Sequence, residues 1–426
     1  MRSLTLHALL ASTLVAGSFA CTTDTTPASS EPEQVRSSLT RNRNPVVSEP
    51  DQKTFVNDNT AFTFDLYRQI AKDNVGQNIV FSPHSISTAL AMTYAGAGGK
   101  TESEMKAALH FSLPSDRLHT AFNWLDLELG KRQGADLALH VDNALFGDKA
   151  SKFEAPFLDA LALNYDAGMN VVDFRKSPEP ARELINRWVQ KRTEDRIANL
   201  LPQGSIDDST RLVLVNTIFM DAKWQTPFTK DATRPATFHG LRGDRQVDTM
   251  HATGSYAYAR DEIAAYLELP YKGGDVSMDI VLPEAGQLEA VEKSLTVDGL
   301  ASTFGKLAPT LVTIGLPKLK LAPDSVSLRA ALQGLGMKTP FTSDADFSKM
   351  SASEALHVSD VLHKAFVQID EEGTVAAAAT AVVNAGTAAP TDDPKPFSVD
   401  RPYLFVVRDR KSGEILFFAR VLDVQQ

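Results

Sequence analysis

The sequence has 426 residues, of which 43% are hydrophobic and 23% are charged, so the chain is long enough to bury a large core without a disulfide or metal scaffold. Its formal net charge is -10, and no run of basic residues follows the N-terminus. Nucleic acid is therefore excluded as a main partner, because phosphate binding needs clustered Lys and Arg.

The first 20 residues have the features of a signal peptide. A short positive start precedes a mostly apolar stretch over residues 4–16, and Ala20 stands directly before Cys21, the only cysteine. The apolar stretch is too short for a membrane-spanning helix. The segment resembles the lipobox of bacterial lipoproteins, although Phe19 departs from that pattern. We expect an extracytoplasmic protein, either a bacterial lipoprotein anchored to a membrane through a lipidated Cys21 or a protein secreted after cleavage behind Ala20.

Residues 21–52 differ in composition from the rest of the chain. They are rich in Thr, Ser, Pro and Glu and lack apolar periodicity. This composition predicts a disordered tether that carries the lipidation site. We expect one folded domain over residues 53–426, with no internal repeat.

Two helices are indicated in the first half of the domain. Apolar residues recur at helical spacing near its start: Phe55, Phe62, Leu66 and Ile70. A second helix is predicted to begin at Pro178, with Ser177 as its N-cap.

Strand patterns dominate the second half. Residues 212–220 form a near-continuous apolar run, which is typical of a strand buried on both faces. Residues 276–282 alternate between apolar and polar side chains, and residues 403–407 and 415–421 flank a hairpin-like turn. Helices followed by strands indicate an α+β fold in one large domain.

Motifs of several enzyme classes are absent. The Gly-rich stretch before Lys100 lacks the first glycine of a phosphate-binding loop, where Tyr94 stands instead. There is no G-x-S-x-G elbow and no H-E-x-x-H helix, and His357 and His363 have no metal-ligand spacing that we recognise. We therefore assign no catalytic residue, metal or cofactor. A hydrolase with Ser and His from distant segments remains open as an alternative.

The most informative segment begins at Val361. Residues 361–370 have a strand pattern and are followed by Glu371, Glu372 and a run of small or polar residues up to Pro396. A long connection without bulky side chains is either a flexible linker or a functional loop.

Residues 371–380, Glu-Glu-Gly-Thr-Val-Ala-Ala-Ala-Ala-Thr, resemble the hinge of the reactive-centre loop of inhibitory serpins. Further segments that resemble this family follow one another along essentially the whole folded part: 78–87, 214–228, 345–348, 358–365, 400–405 and 413–417. Together they set the prediction of a linker aside.

The resemblance implies a serpin fold with three β-sheets, about eight or nine helices and an exposed reactive-centre loop. It also implies a monomeric serine protease inhibitor, not an enzyme, that acts as a suicide substrate. The loop is cleaved, the protease is trapped as an acyl-enzyme, and the loop inserts as a strand into the central sheet. The alternative is a non-inhibitory serpin that acts as a binding or chaperone-like protein.

The hinge residues suit insertion into a sheet. Successive side chains of a strand point to opposite faces, so one alternate set becomes buried. This set contains no charged or large residue: Thr374, Ala376, Ala378 and Thr380. Gly373 gives the hinge freedom to turn. Val375 departs from the family pattern, in which Glu is common, but it belongs to the opposite face.

The position of the cleaved bond also follows from the resemblance. Counting from Gly373 places the reactive bond between Thr387 and Ala388. No Arg, Lys, Phe or Tyr lies between Gly373 and Pro394. We therefore expect a target protease with a small primary pocket, elastase-like or subtilisin-like.

Two further groups of residues are implied by the resemblance. The shutter is a polar cluster beneath the opening sheet: Ser82, Ser85, Asn216 and His363. The breach, where insertion starts, contains Trp224 and Asn186. Each of these residues could instead be an ordinary core residue whose polar atoms are satisfied.

Overall fold

The computed structural model describes residues 31–374 and 393–424. The predicted signal peptide and Cys21 lie outside the described residues, as do Ala376, Ala378, Thr380, Thr387 and Ala388.

The described residues contain nine α-helices. They are α1 Glu49–Asp73, α2 Pro83–Tyr94, α3 Gly99–Ala108, α4 Ser115–Gly130, α5 Ala155–Tyr165, α6 Pro178–Arg192, α7 Leu288–Ser294, α8 Val297–Gly305 and α9 Arg329–Gly334. Within these ranges no helix combines the length and the apolar character that a membrane span requires.

Seventeen strands accompany the helices in the same part of the chain. They are β1 Glu33–Val35, β2 Ile79–Phe81, β3 Leu137–Asp148, β4 Met169–Val172, β5 Leu212–Lys223, β6 Arg234–Gly240, β7 Gly243–Arg260, β8 Ala264–Pro270, β9 Val276–Pro283, β10 Ala308–Pro317, β11 Leu319–Leu321, β12 Val326–Ser327, β13 Val358–Ile369, β14 Gly373–Thr374, β15 Lys395–Ser398, β16 Tyr403–Asp409 and β17 Ile415–Val421.

Local sequence signals explain the two predicted helices. The hydroxyl of Ser48 accepts a hydrogen bond from the backbone N–H of Asp51, 3.3 Å away, and so caps α1. The predicted apolar face of α1 is buried. α6 begins at Pro178 as predicted, and the fixed backbone angle of proline suits that first position. Both helices are confirmed.

The main sheet contains eight strands in the order β1-β4-β3-β5-β14-β13-β11, with β12 beside β13. Its central strand β5 covers the apolar run predicted at residues 212–220, and nearly every residue is buried because helices cover both faces. β5 and β13 are also paired directly in parallel, from Val358 opposite Leu212 to Phe366 opposite Phe219. We call this direct pairing the seam.

The second sheet has nine strands in the order β15-β10-β7-β8-β9-β16-β17-β2, with β6 beside β7. β7 is 18 residues long, and it pairs with β6 and β10 along most of its length and with β8 at its end. Two of the three predicted sheets therefore share one strand, and the described residues form two hydrogen-bonded sheets. The predicted α+β class is confirmed.

Residues 31–48 form a strap on the folded body, which differs from the disordered tether predicted over residues 21–52. β1 pairs antiparallel with β4 at the edge of the main sheet. The Arg41 guanidinium donates to the side-chain amide oxygen of Asn123 at 2.7 Å, and the backbone N–H of Asn42 donates to the carbonyl of Leu163 at 3.0 Å. The strap is held by hydrogen bonds and ion pairs, so it carries no apolar periodicity that the sequence could reveal.

Candidate functional site

The hinge occupies one end of the main sheet. β14 lies between β5 and β13, with Gly373 opposite Lys223 and Thr374 opposite both Ala222 and Ile369. Beyond this point the seam between β5 and β13 is closed. The two residues of β14 therefore separate β5 from β13 at this end of the sheet, and below them these two strands pair directly.

Close packing at this entrance explains why the hinge needs a glycine. A Cβ atom added at Gly373 would lie 2.0 Å from the carbonyl oxygen of Ala222 and 2.7 Å from the Cα of Lys223. Both neighbours are backbone atoms of β5, which cannot move aside cheaply. Any side chain at position 373 would therefore push the hinge out of the sheet.

Thr374 is buried and points inward. Its hydroxyl lies 2.7 Å from the hydroxyl of Tyr271. The Tyr271 ring stacks on Trp224 with centroids 4.6 Å apart, and burial raises the pKa of Tyr271, so its hydroxyl stays protonated. Thr374 thus meets a polar partner within an otherwise aromatic environment.

The turn before the hinge is anchored to the segment that follows β5. The indole Nε1 of Trp224 donates to the carbonyl of Asp370 at 3.0 Å, and its backbone N–H donates to the carbonyl of Glu372 at 2.9 Å. The backbone N–H of Phe228 donates to the carbonyl of Glu371 at 2.8 Å. These bonds fix the end of β13 and the turn that leads to Gly373.

Two ion pairs hold the acidic residues of the hinge. Lys318 donates to Glu371 at 2.8 Å, and Lys230 donates to Glu372 at 2.8 Å. Burial tends to raise the pKa of Glu371, but hydrogen bonds from Lys318 and Thr233 outweigh it and leave that pKa below its ordinary value. Glu371 is therefore a charged group held in place by its partners.

The structure brings all four predicted shutter residues together at the middle of the seam. Asn216 on β5 and His363 on β13 are register partners, and the Nδ1 of His363 lies against the side-chain oxygen of Asn216. Ser82 and Ser85 belong to the start of α2, beneath the sheet. The backbone N–H of Ser82 donates to the Nε2 of His363 at 3.2 Å, and the amide of Asn216 donates to the hydroxyl of Ser85.

Asn143 on β3 completes this network, and sequence analysis missed it. The Ser85 hydroxyl donates to its side-chain oxygen at 2.9 Å, and the Asn216 amide also donates to it. Asn143 is opposite Asn216 in the register of β3 and β5. Nothing in the local sequence marks it, because the pairing of these two strands alone brings it there.

The protonation state of His363 follows from its surroundings. Burial lowers its pKa to about 3, and the hydrogen bond with Asn216 opposes this only in part. The ring is therefore neutral, with Nδ1 as the donor and Nε2 as the acceptor. It acts as a link across the seam and lacks the carboxylate or cysteine neighbours of a metal ligand. Across residues 31–374 and 393–424 no cluster of potential metal ligands occurs.

The structure separates the two predicted breach residues. Trp224 lies at the hinge, as described above. Asn186 lies on α6, where its amide donates to the carbonyl of Leu201 at 2.9 Å and its oxygen accepts from the backbone N–H of Leu201 at 2.8 Å. The placement of Asn186 in the breach is wrong, because its amide fixes the segment that follows α6.

The reactive bond predicted between Thr387 and Ala388 lies outside the described residues. The ends of the connection are Thr374, inside the main sheet, and Lys395, the first residue of β15. β15 pairs in parallel with β10 at the edge of the second sheet. The connection therefore leads from the entrance of one sheet to the edge of the other.

Comparisons with known proteins confirm the predicted serpin fold. The family model described as "Serpin (serine protease inhibitor)" matches residues 57–424. An uncharacterised serpin-like protein of Thermococcus kodakarensis is 37% identical over 398 residues, covering 93% of this chain and 92% of that protein. The leukocyte elastase inhibitor of Xenopus laevis is 38% identical over 370 residues, covering 85% and 97%. Human thyroxine-binding globulin, solved with its hormone, superposes with a TM-score of 0.79 at 28% identity, covering 88% and 100%.

Proposed function

This chain belongs to the serpin family, and we propose that it inhibits a serine protease by offering a cleavable loop and inserting that loop into the main sheet. One observation carries the proposal: Gly373 and Thr374 occupy the entrance of the seam while β5 and β13 are still paired below them. This geometry is that of a strand insertion stopped after two residues.

The register of the hinge determines where each later residue would go. Thr374 is opposite Ala222 on β5, and the two strands run antiparallel. Continued insertion puts Ala376 opposite Met220, Ala378 opposite Ile218 and Thr380 opposite Asn216. The first two of these β5 side chains belong to the main core, which favours small apolar partners.

Thr380 then arrives between the two seam residues of the shutter. Insertion separates Asn216 from His363, which breaks the hydrogen bond between them. A threonine hydroxyl can both donate and accept, so Thr380 can satisfy both partners in the opened sheet. The same network can therefore be complete with the sheet closed and with the sheet open.

The energetic balance favours insertion once the loop is cut. The inserted strand pairs with two neighbours, whereas β5 and β13 lose only their bonds to each other. Over the length of β5 the net gain is about ten hydrogen bonds, or roughly 10 kcal/mol. An intact loop is tethered at both ends, at Thr374 and at Lys395, and cannot travel this distance.

Cleavage supplies both the freedom to move and the trap. The serine hydroxyl of the protease attacks the carbonyl carbon of Thr387, and the amine of Ala388 leaves, so the protease is esterified to the residue that starts to travel. Insertion then carries the protease along with Thr387. Distortion of the bound enzyme during this movement prevents hydrolysis of the ester.

We propose a target with a small primary pocket, such as an elastase-like or subtilisin-like protease. The residues around the expected reactive bond are small, which is the side-chain size that such a pocket accepts. Leukocyte elastase inhibitors are among the similar proteins, which supports this class.

We further propose that the protein is extracytoplasmic and is either lipidated at Cys21 or secreted after cleavage behind Ala20. Mass spectrometry of the N-terminal peptide separates the two forms. A diacylglyceryl group on Cys21 indicates the anchor, whereas an unmodified Cys21 at the N-terminus indicates secretion. An N-terminus at Met1 would contradict both.

The alternative function is ligand binding without inhibition, and the similarity to thyroxine-binding globulin favours it. Two features of this chain argue for inhibition instead. The predicted inward set of the hinge contains no charged or bulky side chain. In addition, glycine is the only residue type that fits at position 373, beside Ala222.

The test is incubation with elastase and with subtilisin, followed by denaturing electrophoresis and thermal unfolding. Inhibition predicts a covalent complex that survives denaturation and a large rise in the unfolding temperature of the nicked protein. The variant Thr374→Arg should be cleaved without forming a complex, because a buried unpaired charge blocks insertion. Val375→Arg, on the predicted outward face, is the control. Cleavage of wild type without a complex and without stabilisation would exclude the proposal.

A further inference from the structure

Two phenylalanines face each other across the upper part of the seam. Phe219 on β5 and Phe366 on β13 are register partners, and they form a small hydrophobic cluster separate from the two larger cores. They lie between the shutter and the hinge, on the face of the main sheet that α6 partly covers. An inserting strand must pass between them.

Positively charged and aromatic groups cover this pair. The guanidinium of Arg196 lies over both rings, 5.8 Å from the centroid of Phe219 and 6.0 Å from that of Phe366. The His140 ring stacks on Phe219 at 4.0 Å, and Lys320 lies 6.0 Å from the centroid of Phe366. Arg196 alone among these three touches both sides of the seam.

The backbone around Arg196 holds it in this position. Its N–H donates to the carbonyl of Thr193 at 2.8 Å, and the next N–H, of Ile197, donates to the Thr193 hydroxyl at 3.1 Å. Glu194 and Asp195 have φ angles of 48° and 62°, a conformation that is unfavourable for residues other than glycine. Ile197 is fully buried beneath α6. The surrounding structure thus keeps a strained turn that fixes Arg196 above the seam.

We propose that Arg196 is a positioning residue for the inhibitory reaction, acting as a clasp that holds the seam closed until the loop is cut. An inserted strand would move β5 and β13 apart by one more strand spacing of about 4.8 Å. A cation at the present height could then no longer stay within about 6 Å of both ring centroids, the range of a useful cation–π contact. The clasp therefore stabilises the closed sheet and not the open one.

The register also shows which residue would come between the two phenylalanines. Continuing from Thr374 opposite Ala222, Ala377 lands opposite Phe219 on the outer face. Its methyl group passes beneath the segment after α6 but offers Arg196 no ring. Insertion therefore has to release Arg196 from at least one of the two rings. This inference rests on the loop insertion proposed above, and it names one side chain that controls the insertion rate.

The experiment compares three variants of the full-length protein. Arg196→Gln removes the positive charge, and Arg196→Lys keeps a positive charge on a different side chain. Arg187→Gln, the control, removes a half-exposed charge of α6 that pairs with Glu183. A synthetic peptide with the sequence of residues 374–387 is added to each intact protein, and its incorporation is followed on native gels. Unfolding temperatures are measured for the intact and the loop-cleaved forms.

We expect Arg196→Gln to take up the peptide about three- to tenfold faster than wild type. The unfolding temperature of its intact form should be lower than that of wild type, whereas that of its cleaved form should be unchanged. Arg196→Lys should fall between the two, and Arg187→Gln should match wild type. An unchanged rate in Arg196→Gln, or an equal loss of stability in the intact and cleaved forms, would overturn the clasp. Wild type that takes up no peptide and gains no stability on cleavage would instead overturn the proposed function.

Discussion

Tyr271 and Thr374 are joined by a 2.7 Å contact between their hydroxyl groups, at the end of the main sheet where β14 lies between β5 and β13. Both side chains are fully buried, so neither hydroxyl can turn to water instead. The hinge is therefore seated by a specific hydrogen bond in addition to the fit of Gly373 beside β5.

We expect Tyr271→Phe to loosen this seat. The substitution removes one buried hydrogen bond and leaves the Thr374 hydroxyl without it, at a cost of about 1–2 kcal/mol in the closed form. Amide hydrogen exchange at Gly373 and Thr374 should accelerate in proportion. The partly exposed Tyr258→Phe is the control, and equal exchange in both variants would contradict the prediction.

The ion pair between Lys318 and Glu371 is expected to stabilise the intact fold. Lys318→Met leaves the buried Glu371 carboxylate without its cation, which we expect to lower the free energy of unfolding by about 1–2 kcal/mol. Lys293→Met breaks a pair in which both side chains are exposed to solvent, so its effect should be much smaller than that of Lys318→Met. Urea unfolding of both variants distinguishes the two contexts, and equal effects would show that burial of Glu371 is unimportant.

His363 should make the intact protein less stable in acid. Its pKa is lowered to about 3 in the fold, from about 6.5 in the unfolded chain, so the unfolded state binds its proton first as the pH falls. The stabilisation is complete above about pH 6.5 and is lost progressively toward pH 3, with about 2 kcal/mol gone at pH 5.

Buried His119, whose pKa is lowered to about 4, adds a loss in the same direction. Urea unfolding measures the free energy of unfolding at pH 7 and at pH 5. The difference between the two values should be smaller in His363→Gln than in wild type, and the contribution of His119 to it should remain. An identical pH dependence in the variant and wild type would show that His363 does not titrate as described.

The Thr380 hydroxyl should stabilise only the cleaved, loop-inserted form of the protein. The register places its hydroxyl between Asn216 and His363 after insertion, so Thr380→Val would leave these two buried groups unsatisfied there, at a cost of about 1–3 kcal/mol. The unfolding temperature of the cleaved protein should fall, whereas that of the intact protein should not. Val375→Thr, on the predicted outward face, should change neither. A loss in both forms of Thr380→Val would contradict the register.

The strap should contribute measurably to stability. The Arg41 side chain is only 8% exposed and pairs with Asp126 at 2.6 Å as well as with Asn123. We expect Arg41→Ala to lower the unfolding temperature by a few degrees, equivalent to about 1–2 kcal/mol. Arg43→Ala removes a 64% exposed arginine paired with Asp166, and it should have little effect. Equal behaviour of the two variants would mean that the strap contributes nothing through Arg41.

Features that depend on local pattern were predictable from the sequence. The apolar spacing of α1, the proline at the start of α6 and the apolar run of β5 all reflect the period or the capping chemistry of a single element. The predicted shutter residues are found together, because the segments that carry them resemble family segments whose fold is shared.

Features that depend on long-range pairing were not predictable. Tyr271 meets Thr374 across 103 residues of sequence, and Asn143 reaches the shutter only through the pairing of β3 with β5. Asn186 was misplaced because a polar residue on a helix gives no sign of which neighbour its amide will bind. The strap was misread for a related reason: β1 is stabilised by an existing sheet edge and needs no apolar pattern of its own.

The position of β1 has a consequence for where a captured enzyme comes to rest. In the register of the main sheet, Glu33 is level with Val171, Gly147 and Leu212. The hinge is level with Lys223, which is eleven residues along β5 from Leu212. The two levels are therefore about 36 Å apart. In the proposed mechanism, full insertion would carry Thr387 past Leu212. The esterified protease would then lie at the end of the main sheet that carries Glu33, about 19 Å to one side of β1. A protease captured in this way would therefore lie at the end of the main sheet that holds β1, the first described strand after the proposed anchor at Cys21.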